Sequence, residues 1–525
     1  MRFGSVALGV AGITLAARVV GFGRWLVFSK TVGDTCLGDV YNAANTLPNV
    51  LFEIVAGGVL AGAVIPVVAR HVGSRRGAET AQTSSALLTW TLIILTPAAL
   101  AALFGAGLFA TAFAKPTCSG SSVTLAALLI MFVPQIWLYG LAVVSAGVLQ
   151  AHSRFLASAL APLLSSLVVI ICYLIFVAVA APTAASDLTQ LSGSALWILG
   201  WGTTAGVLTL ALTTVVPMTR LGFRLRPRLR FAAGDRTVIA KIAAAGLAGL
   251  VLQQLSLLVI NWSAQQTGDN GALTRFTWAN AIYLLPYAVL VAPLLQLIFP
   301  RLSAAAVEGE REVAGVLAEN GPPVIMLASL GAALLVGTAV PVARVFVLGP
   351  GSGNTLALAW PIAAFAPAVI GFGLLGLCSR SLLAEHRARA AGAVTATAWG
   401  VVIVGVLASR LVVPGPWLVP ALAGSVSLGM CVGGAIGALL ARISPPAWLA
   451  RSLAIGLIAA VAAGGITVWP ASLLADVGLI TAALGAFGTA AGCLLIFTGV
   501  VYLLDKQQVG WLWSLVARRR APAVR

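Results

Sequence analysis

Six side chains set inside otherwise apolar sequence have the means to do chemistry: Arg18 and Arg24, then Asn42, Asn45, Asn49 and Glu53. A guanidinium at membrane depth costs at least about 2.5 kcal/mol even on the most lenient insertion scale, so both arginines need a wet cavity or a partner. Their planar donors match phosphate oxygens, which makes an anionic cargo a natural ligand. Asn42, Asn45, Asn49 and Glu53 follow one another at steps of three, four and four, a single stripe on a 3.6-residue helix. Such a stripe suits sugar or peptide groups. Equally, Glu53 could only balance Arg18 or Arg24, and the asparagines could only bond neighbouring helices together.

The elements that must position these groups are two apolar spans, near Ser5 to Phe28 and Val40 to Val68. Pro48 is expected to interrupt the second helix, and Gly57 and Gly58 to weaken its packing surface, so that freed carbonyls line a water-filled space. A later span repeats the theme with Asn280, Tyr283 and Tyr287 on one face, and the span before it holds Gln253, Gln254 and Asn261. Helices one, two, seven and eight therefore carry the polar groups.

With 60% hydrophobic and 9% charged residues the chain is no soluble domain, since those are charged at roughly one position in four. At roughly 35 residues per span and loop, its length fits about fourteen membrane helices of about twenty apolar residues each. They are read near 5–29, 39–69, 82–113, 123–149, 156–181, 193–217, 240–263, 273–300, 321–347, 355–383, 390–413, 417–441, 451–470 and 477–504. The first is too long and too charged for a cleaved signal peptide and is expected to remain.

Alternate connections hold the basic residues: Arg70, Arg75 and Arg76; Arg154; Arg220, Arg224, Arg226, Arg228, Arg230 and Arg236; Arg301 and Arg311; Arg387 and Arg389; Arg442. The remaining connections hold Asp34, Lys115, Asp187, Asp269 and Asp476. This asymmetry puts both termini in the cytoplasm and accounts for the net charge of +17 without a nucleic-acid partner. The basic stretch between helices six and seven is read as a solvated loop retained inside, which also attracts anionic head groups. Arg275, Arg344, Arg380 and Arg410 lie near expected helix ends, where they reach the interface without further function. An echo links Leu47-Pro48 and Ile65-Pro66 in helix two with Leu285-Pro286 and Phe299-Pro300 in helix eight.

The run from Arg18 through Gly21, Arg24, Asp39, Leu47-Pro48-Asn49, Gly58 and Pro66, with LPYAVLVAPLLQLIFPRLS at 285–303, resembles the MurJ (MviN) lipid II flippase family of the MATE-like MOP exporter superfamily, in its actinobacterial form. The resemblance implies an all-α polytopic membrane protein, with two six-helix lobes in a V and two additional helices. The lobes are residues 1–218 and 240–441, joined by the basic linker 219–239; residues 442–504 form a groove for a lipid tail, and 505–525 an amphipathic basic tail anchored by Trp511, Trp513 and Arg518 to Arg520. It further implies lipid II carriage from the inner to the outer leaflet of a bacterial plasma membrane by alternating access. Arg18 and Arg24 would then hold pyrophosphate; Asn45, Asn49, Glu53, Asn280 and Tyr283 would contact substrate; Asp39 and Pro48 would serve an external gate. Membrane lipids and proteins of cell-wall synthesis and division are the implied partners. Where Gram-negative members carry arginine and glutamate in helix two this chain has Phe52 and Gly57, and in place of an arginine in helix eight it has Ala281.

Enzymatic chemistry is not supported. Only fourteen acids occur, and the tight cluster Glu308, Glu310 and Glu312 reads as a solvated helix start. His71, His152 and His386 are read as surface residues at cytoplasmic edges. No P-loop or hydrolase motif is present, and neither a cofactor nor a metal site is expected. Of the six cysteines, Cys36 and Cys118 fall in external connections where a disulfide could persist, or both could be free. Two rivals remain open: another MOP-type exporter of drugs or polysaccharide lipids, which predicts a cavity dominated by acids and aromatics, and a non-transporting cell-wall scaffold, which predicts that Arg18 and Arg24 are dispensable.

Overall fold

The computed structural model describes residues 2–54, 61–74, 77–181, 183–222, 226–232, 235–441 and 447–506. Gly57 and Gly58, Arg75 and Arg76, Arg224, Arg442 and the tail from Trp511 to Arg520 lie outside the described residues. The rest is helical, with one isolated bridge between Asp34 and Gly351. Eleven helical stretches among the described residues are long and apolar enough to cross a bilayer. They correspond to expected spans three to six and eight to fourteen; the other three expected spans lie along the helices called α1, α2 with α3, and α9 below.

The chain forms two compact units, residues 1–274 with 349–352, and the remainder. The first contains α1 (Arg2–Thr31), α2 (Cys36–Phe52), α3 (Ala61–Gly73), α4 (Gly77–Phe104), α5 (Ala106–Phe113), α6 (Ser121–Ala151), α7 (Phe155–Val179), α8 (Gly193–Thr219) and α9 (Asp235–Thr267). Packed valines and leucines, among them Val64, Val68, Leu87, Val144 and Val148, form its inner core. Although α9 follows the basic linker, it packs on α2, α3 and α5. The first compact unit thus extends through α9 to Thr274.

Pro48 does not interrupt α2, which continues through it to Phe52. About one turn later, Glu53 and Ile54 adopt π-type spacing. The same device follows the second Leu-Pro pair. Helix α10 (Ala272–Pro286) passes into a π-turn at Tyr287–Val291 before α11 (Ala292–Glu308) resumes the α form. A proline removes one backbone donor and crowds the turn before it, so the π-turn at Tyr287–Val291 lies where Pro293, which follows it, does the crowding.

Helix α10 begins at the boundary between units. The second unit holds the rest of it with α11, α12 (Glu310–Val347), α13 (Thr355–Ala364), α14 (Ala366–Ala384), α15 (Ala388–Val412), α16 (Gly415–Leu440), α17 (Ala447–Ser472) and α18 (Leu479–Leu504). Its core joins α12, α17 and α18 through Met326, Ala333, Ala459, Ala463, Cys493 and Phe497. Here Arg275 is 1% exposed rather than reaching for an interface.

His71 also departs from the surface role expected of it. It is 4% exposed, its Nδ1 lies 3.0 Å from Glu79 Oε2, and its Nε2 lies 2.8 Å from Asp235 Oδ2. Arg70 pairs with the other oxygen of Asp235, and the Thr83 hydroxyl donates to Asp235 at 2.6 Å. A fully buried carboxylate is thus met by three partners from α3 and α4, which ties the start of α9 to both helices.

Cys36 and Cys118 are joined in a disulfide, while Cys172, Cys378, Cys431 and Cys493 are free. In denatured protein, maleimide is expected to label Cys36 and Cys118 only after reduction. Equal labelling with and without reductant would show that no bridge forms.

Candidate functional site

Helix α1 presents Arg18 exposed and Arg24 half-buried. The Arg24 guanidinium stands 5.4 Å over the Trp25 ring, which supplies a cation–π contact. Arg24 and Glu53 both act electrostatically on the buried Tyr139 phenol, so α1, α2 and α6 place a cation, an anion and a phenol within reach of one field. Arg24 acts likewise on Tyr41 and Tyr173. Tyr41 hydrogen-bonds Tyr173 at 2.8 Å and Thr203 at 2.9 Å, and this knot fixes α2 against α7 and α8.

The stripe on α2 divides. Asn42 is buried and structural, its Nδ2 donating to Gly38 O at 2.9 Å and Thr274 Oγ1 at 3.2 Å. Asn45 and Asn49 are half-buried and Glu53 is exposed. Asn45 Oδ1 is buried with no hydrogen-bond partner. On α9, Asn261 is 1% exposed and leaves both amide atoms unpaired, as does Gln265 with its Oε1. Each buried unpaired polar group costs about 1–3 kcal/mol, an expense recovered only where the group meets water or a polar ligand.

Asp39 is fully buried beyond the stripe. It accepts from Gly271 N at 2.9 Å, from Thr274 N at 3.0 Å and from Thr274 Oγ1 at 2.9 Å, and so caps the start of α10. Lys115 Nζ, also fully buried, completes the shell 3.0 Å from Asp39 Oδ2 and donates to Ala264 O at 3.2 Å. Gln265 Nε2 holds the Asp39 carbonyl at 3.1 Å. Next to this cluster Ser352 donates to Asp34 through its N at 3.2 Å and its Oγ at 2.5 Å. The approaches demand glycine. A Cβ at Gly33 (φ +73°) would sit 1.7 Å from Pro350 O, and one at Gly271 (φ +84°) 2.3 Å from Asp34 O. The Cys36–Cys118 bridge fastens the Lys115 turn to the start of α2.

In the second unit Asn280 is half-buried, but Tyr283 is 3% exposed and stacked on Phe365 at 4.8 Å, a packing residue in this conformation. The polar pair there is one not expected from sequence. Tyr287, in the π-turn, hydrogen-bonds Arg380, which also donates to Gly376 O at 3.0 Å. The same unit holds an apolar cavity of about 600 Å³, whose lining includes Val336, Ile370, Leu374, Cys431, Leu457 and Val461. Helix α17 forms one wall of it, and α18 contributes none of its lining.

Lys115 and Asp235 went unassigned in the sequence, because a charge beside a turn reads as solvated until the packed chain covers it. Among the described residues no group of three or more metal-ligating side chains occurs.

A family model described as "Lipid II flippase MurJ" matches residues 28–488. The chain is 27% identical over 529 residues to the "Lipid II flippase MurJ" of Burkholderia cenocepacia, covering 97% of this chain and 96% of that one. It is 29% identical over 348 residues to the "Probable lipid II flippase MurJ" of Rhizobium meliloti, spanning 64% of this chain and 61% of that relative's length. Among solved structures, a lipid II flippase MurJ in an inward closed conformation matches with a TM-score of 0.72 at 15% identity, over 94% of this chain and 99% of the other. An inward-facing multidrug resistance MATE family transporter of the MOP superfamily matches at 0.66 and 15% identity, over 83% and 95%.

The buried ion pair yields a stability prediction. Asp39→Asn strands the Lys115 ammonium in a dry site and is expected to lower stability by about 3–5 kcal/mol. Adding Lys115→Met should return part of that loss. Thermal unfolding of the two single variants and the double variant measures the coupling, and strict additivity would refute it.

Proposed function

The chain belongs to the lipid II flippase MurJ family, and from that membership we propose that it moves lipid II from the inner to the outer leaflet of a bacterial plasma membrane by alternating access. The observation that carries the reading within this chain is charge left open in apolar helices: Arg18 and Glu53 are exposed, and Arg24, Asn45 and Asn49 are half-buried. The charges of Arg24 and Glu53 both act on Tyr139. A pyrophosphate with its sugars and peptide cannot enter hydrocarbon unaided, and a hydrated route lined by fixed donors lowers that barrier.

Arg18 and Arg24 take the pyrophosphate, since guanidinium planes match phosphate oxygens. Asn45, Asn49 and Glu53 take sugar and peptide groups, with Asn280 a further polar contact. The unpaired amide of Asn261 and the unpaired Oε1 of Gln265 support the same view, because water or a polar ligand reaching α9 would give them partners. Asp39 and Pro48 serve the external gate: the first through the cap and the ion pair it forms with Lys115, the second through the π-turn downstream of it. The polyprenyl tail takes the apolar cavity against α17.

In this reading residues 1–218 and 240–441 are the moving lobes, 219–239 is their linker, and 505–525 is a cytoplasmic anchor. Both termini face the cytoplasm, in keeping with the basic alternate connections. Proteins of cell-wall synthesis and division, which use lipid II once it has crossed, are the protein partners.

Arg18→Ala and Arg24→Ala are each expected to abolish complementation of a depleted strain at normal protein level, with lipid II accumulating on the inner leaflet. Full growth of both variants, or an unchanged leaflet distribution after depletion, would overturn the assignment.

A further inference from the structure

The basic linker is not a free loop where the structure describes it. Residues Arg226 to Phe231 lie across the first turns of α4, held by polar side chains of that helix. Arg226 N donates to Ser85 Oγ at 3.3 Å, and Arg228 N donates to Thr89 Oγ1 at 3.1 Å. Trp90 Nε1 donates to Leu229 O at 3.0 Å, and Gln82 Nε2 donates to the carbonyls of Arg230 and Phe231 at 3.2 Å. Phe231 and Leu221 pack on the valine core of the first unit. The Asp235 cluster then fixes the chain just beyond, where α9 starts. A strap fastened at so many points presents its side chains in a set arrangement.

What it presents is two-sided in character. Arg226, Arg228 and Arg230 are exposed, and none of them pairs with a carboxylate among the described residues. Between them Leu229 is 59% exposed, beside Trp90 at 37%. Helix α4 is long and apolar enough to cross a membrane, and Gln82, Ser85, Thr89 and Trp90, which hold the strap, lie in its N-terminal half, before the apolar run from Leu92 to Phe104. Trp90 borders that run, and indole rings concentrate at the membrane interface. An exposed leucine flanked by arginines at that depth matches a lipid surface, with apolar side chain below and phosphates level with the guanidinium groups. A soluble anion has no use for the leucine.

We propose that the strap Arg226–Phe231 is a binding site for anionic phospholipid head groups of the cytoplasmic leaflet, in which Arg226, Arg228 and Arg230 hold phosphate and Leu229 enters the acyl boundary. The proposal rests on the orientation given under Proposed function, but not on lipid II being the cargo. The site concentrates acidic lipid at the end of α4 and α9 and keeps that corner of the protein level with the membrane surface.

The test uses the full chain released from nanodiscs of mixed phosphatidylglycerol and phosphatidylcholine, with retained lipids counted by native mass spectrometry. Wild type is expected to retain phosphatidylglycerol in preference to phosphatidylcholine. Arg226→Gln, Arg228→Gln and Arg230→Gln together should weaken that preference by roughly 100-fold, about fivefold for each charge. Leu229→Asp should weaken it with the arginines intact. Millimolar pyrophosphate should not displace the lipid.

Unchanged phosphatidylglycerol retention in the triple variant, equal retention of the two lipids by wild type, or displacement by pyrophosphate would each overturn the proposal. The triple variant alters only exposed side chains, and an unchanged melting temperature certifies its fold. Lipid II translocation by the same variant is read separately, so a failed strap leaves the flippase assignment standing. Labelling of Arg228→Cys by an impermeant maleimide on intact cells would place the strap outside and end the proposal through its orientation.

Discussion

A carboxylate and an ammonium, both shut off from water, hold the most crowded corner of the first unit together. Burying Asp39 and Lys115 costs several kcal/mol each before any attraction is counted, so the pair survives only because its remaining valences are filled. Gly271, Thr274 and Ala264 fill them. Close approaches surround the pair: Gly271 and residues 349–352 crowd against Asp34, and the disulfide keeps the Lys115 turn beside α2. A helix start is normally capped from its own chain, by the residue before it. Here the cap comes from α2, so the start of α10 is ordered only while α2 is in place.

The other end of the same unit repeats the scheme with different residues. Asp235 is buried at the start of α9 and is satisfied by Arg70, His71 and Thr83, which belong to α3 and α4. His71 faces a carboxylate at each ring nitrogen. Between these two clasps Asn45 and Asn261 keep unpaired atoms, and Gln265, at the Asp39 clasp, leaves its Oε1 unpaired. Firm ends and an undersatisfied middle fit a polar route that is used intermittently.

Periodicity made the α2 stripe legible, because three asparagines and a glutamate at helical spacing in apolar sequence have few explanations. Hydropathy and loop charge located the spans, since both follow from the solvent rather than from packing. Burial of charge was not legible. Lys115 lies beside a turn and His71 beside a helix end, positions that read as solvated, and only the crossing of distant helices covers them. The resemblance implies Tyr283 as a substrate contact, and its ring stacks on Phe365, eighty-two positions away, a neighbour that spacing along one helix does not reveal. Pro48 is expected to interrupt α2, yet the helix runs through it to Phe52. The Cys36–Cys118 bridge stayed open for a similar reason, spacing alone giving no distance between two connections.

The wide turn at Tyr287–Val291, after Leu285-Pro286, holds one residue more than the turns on either side, and Glu53 and Ile54 take the same spacing after Leu47-Pro48. Such a surplus is slack wound into a rod. Passing it along by a turn re-aims the side chains in between by about 100°, the angle one residue occupies, while both rod ends stay where they are. Tyr287 stands inside one of these windings and Glu53 at the lip of the other, so each is a side chain whose bearing can change with no helix unfolding.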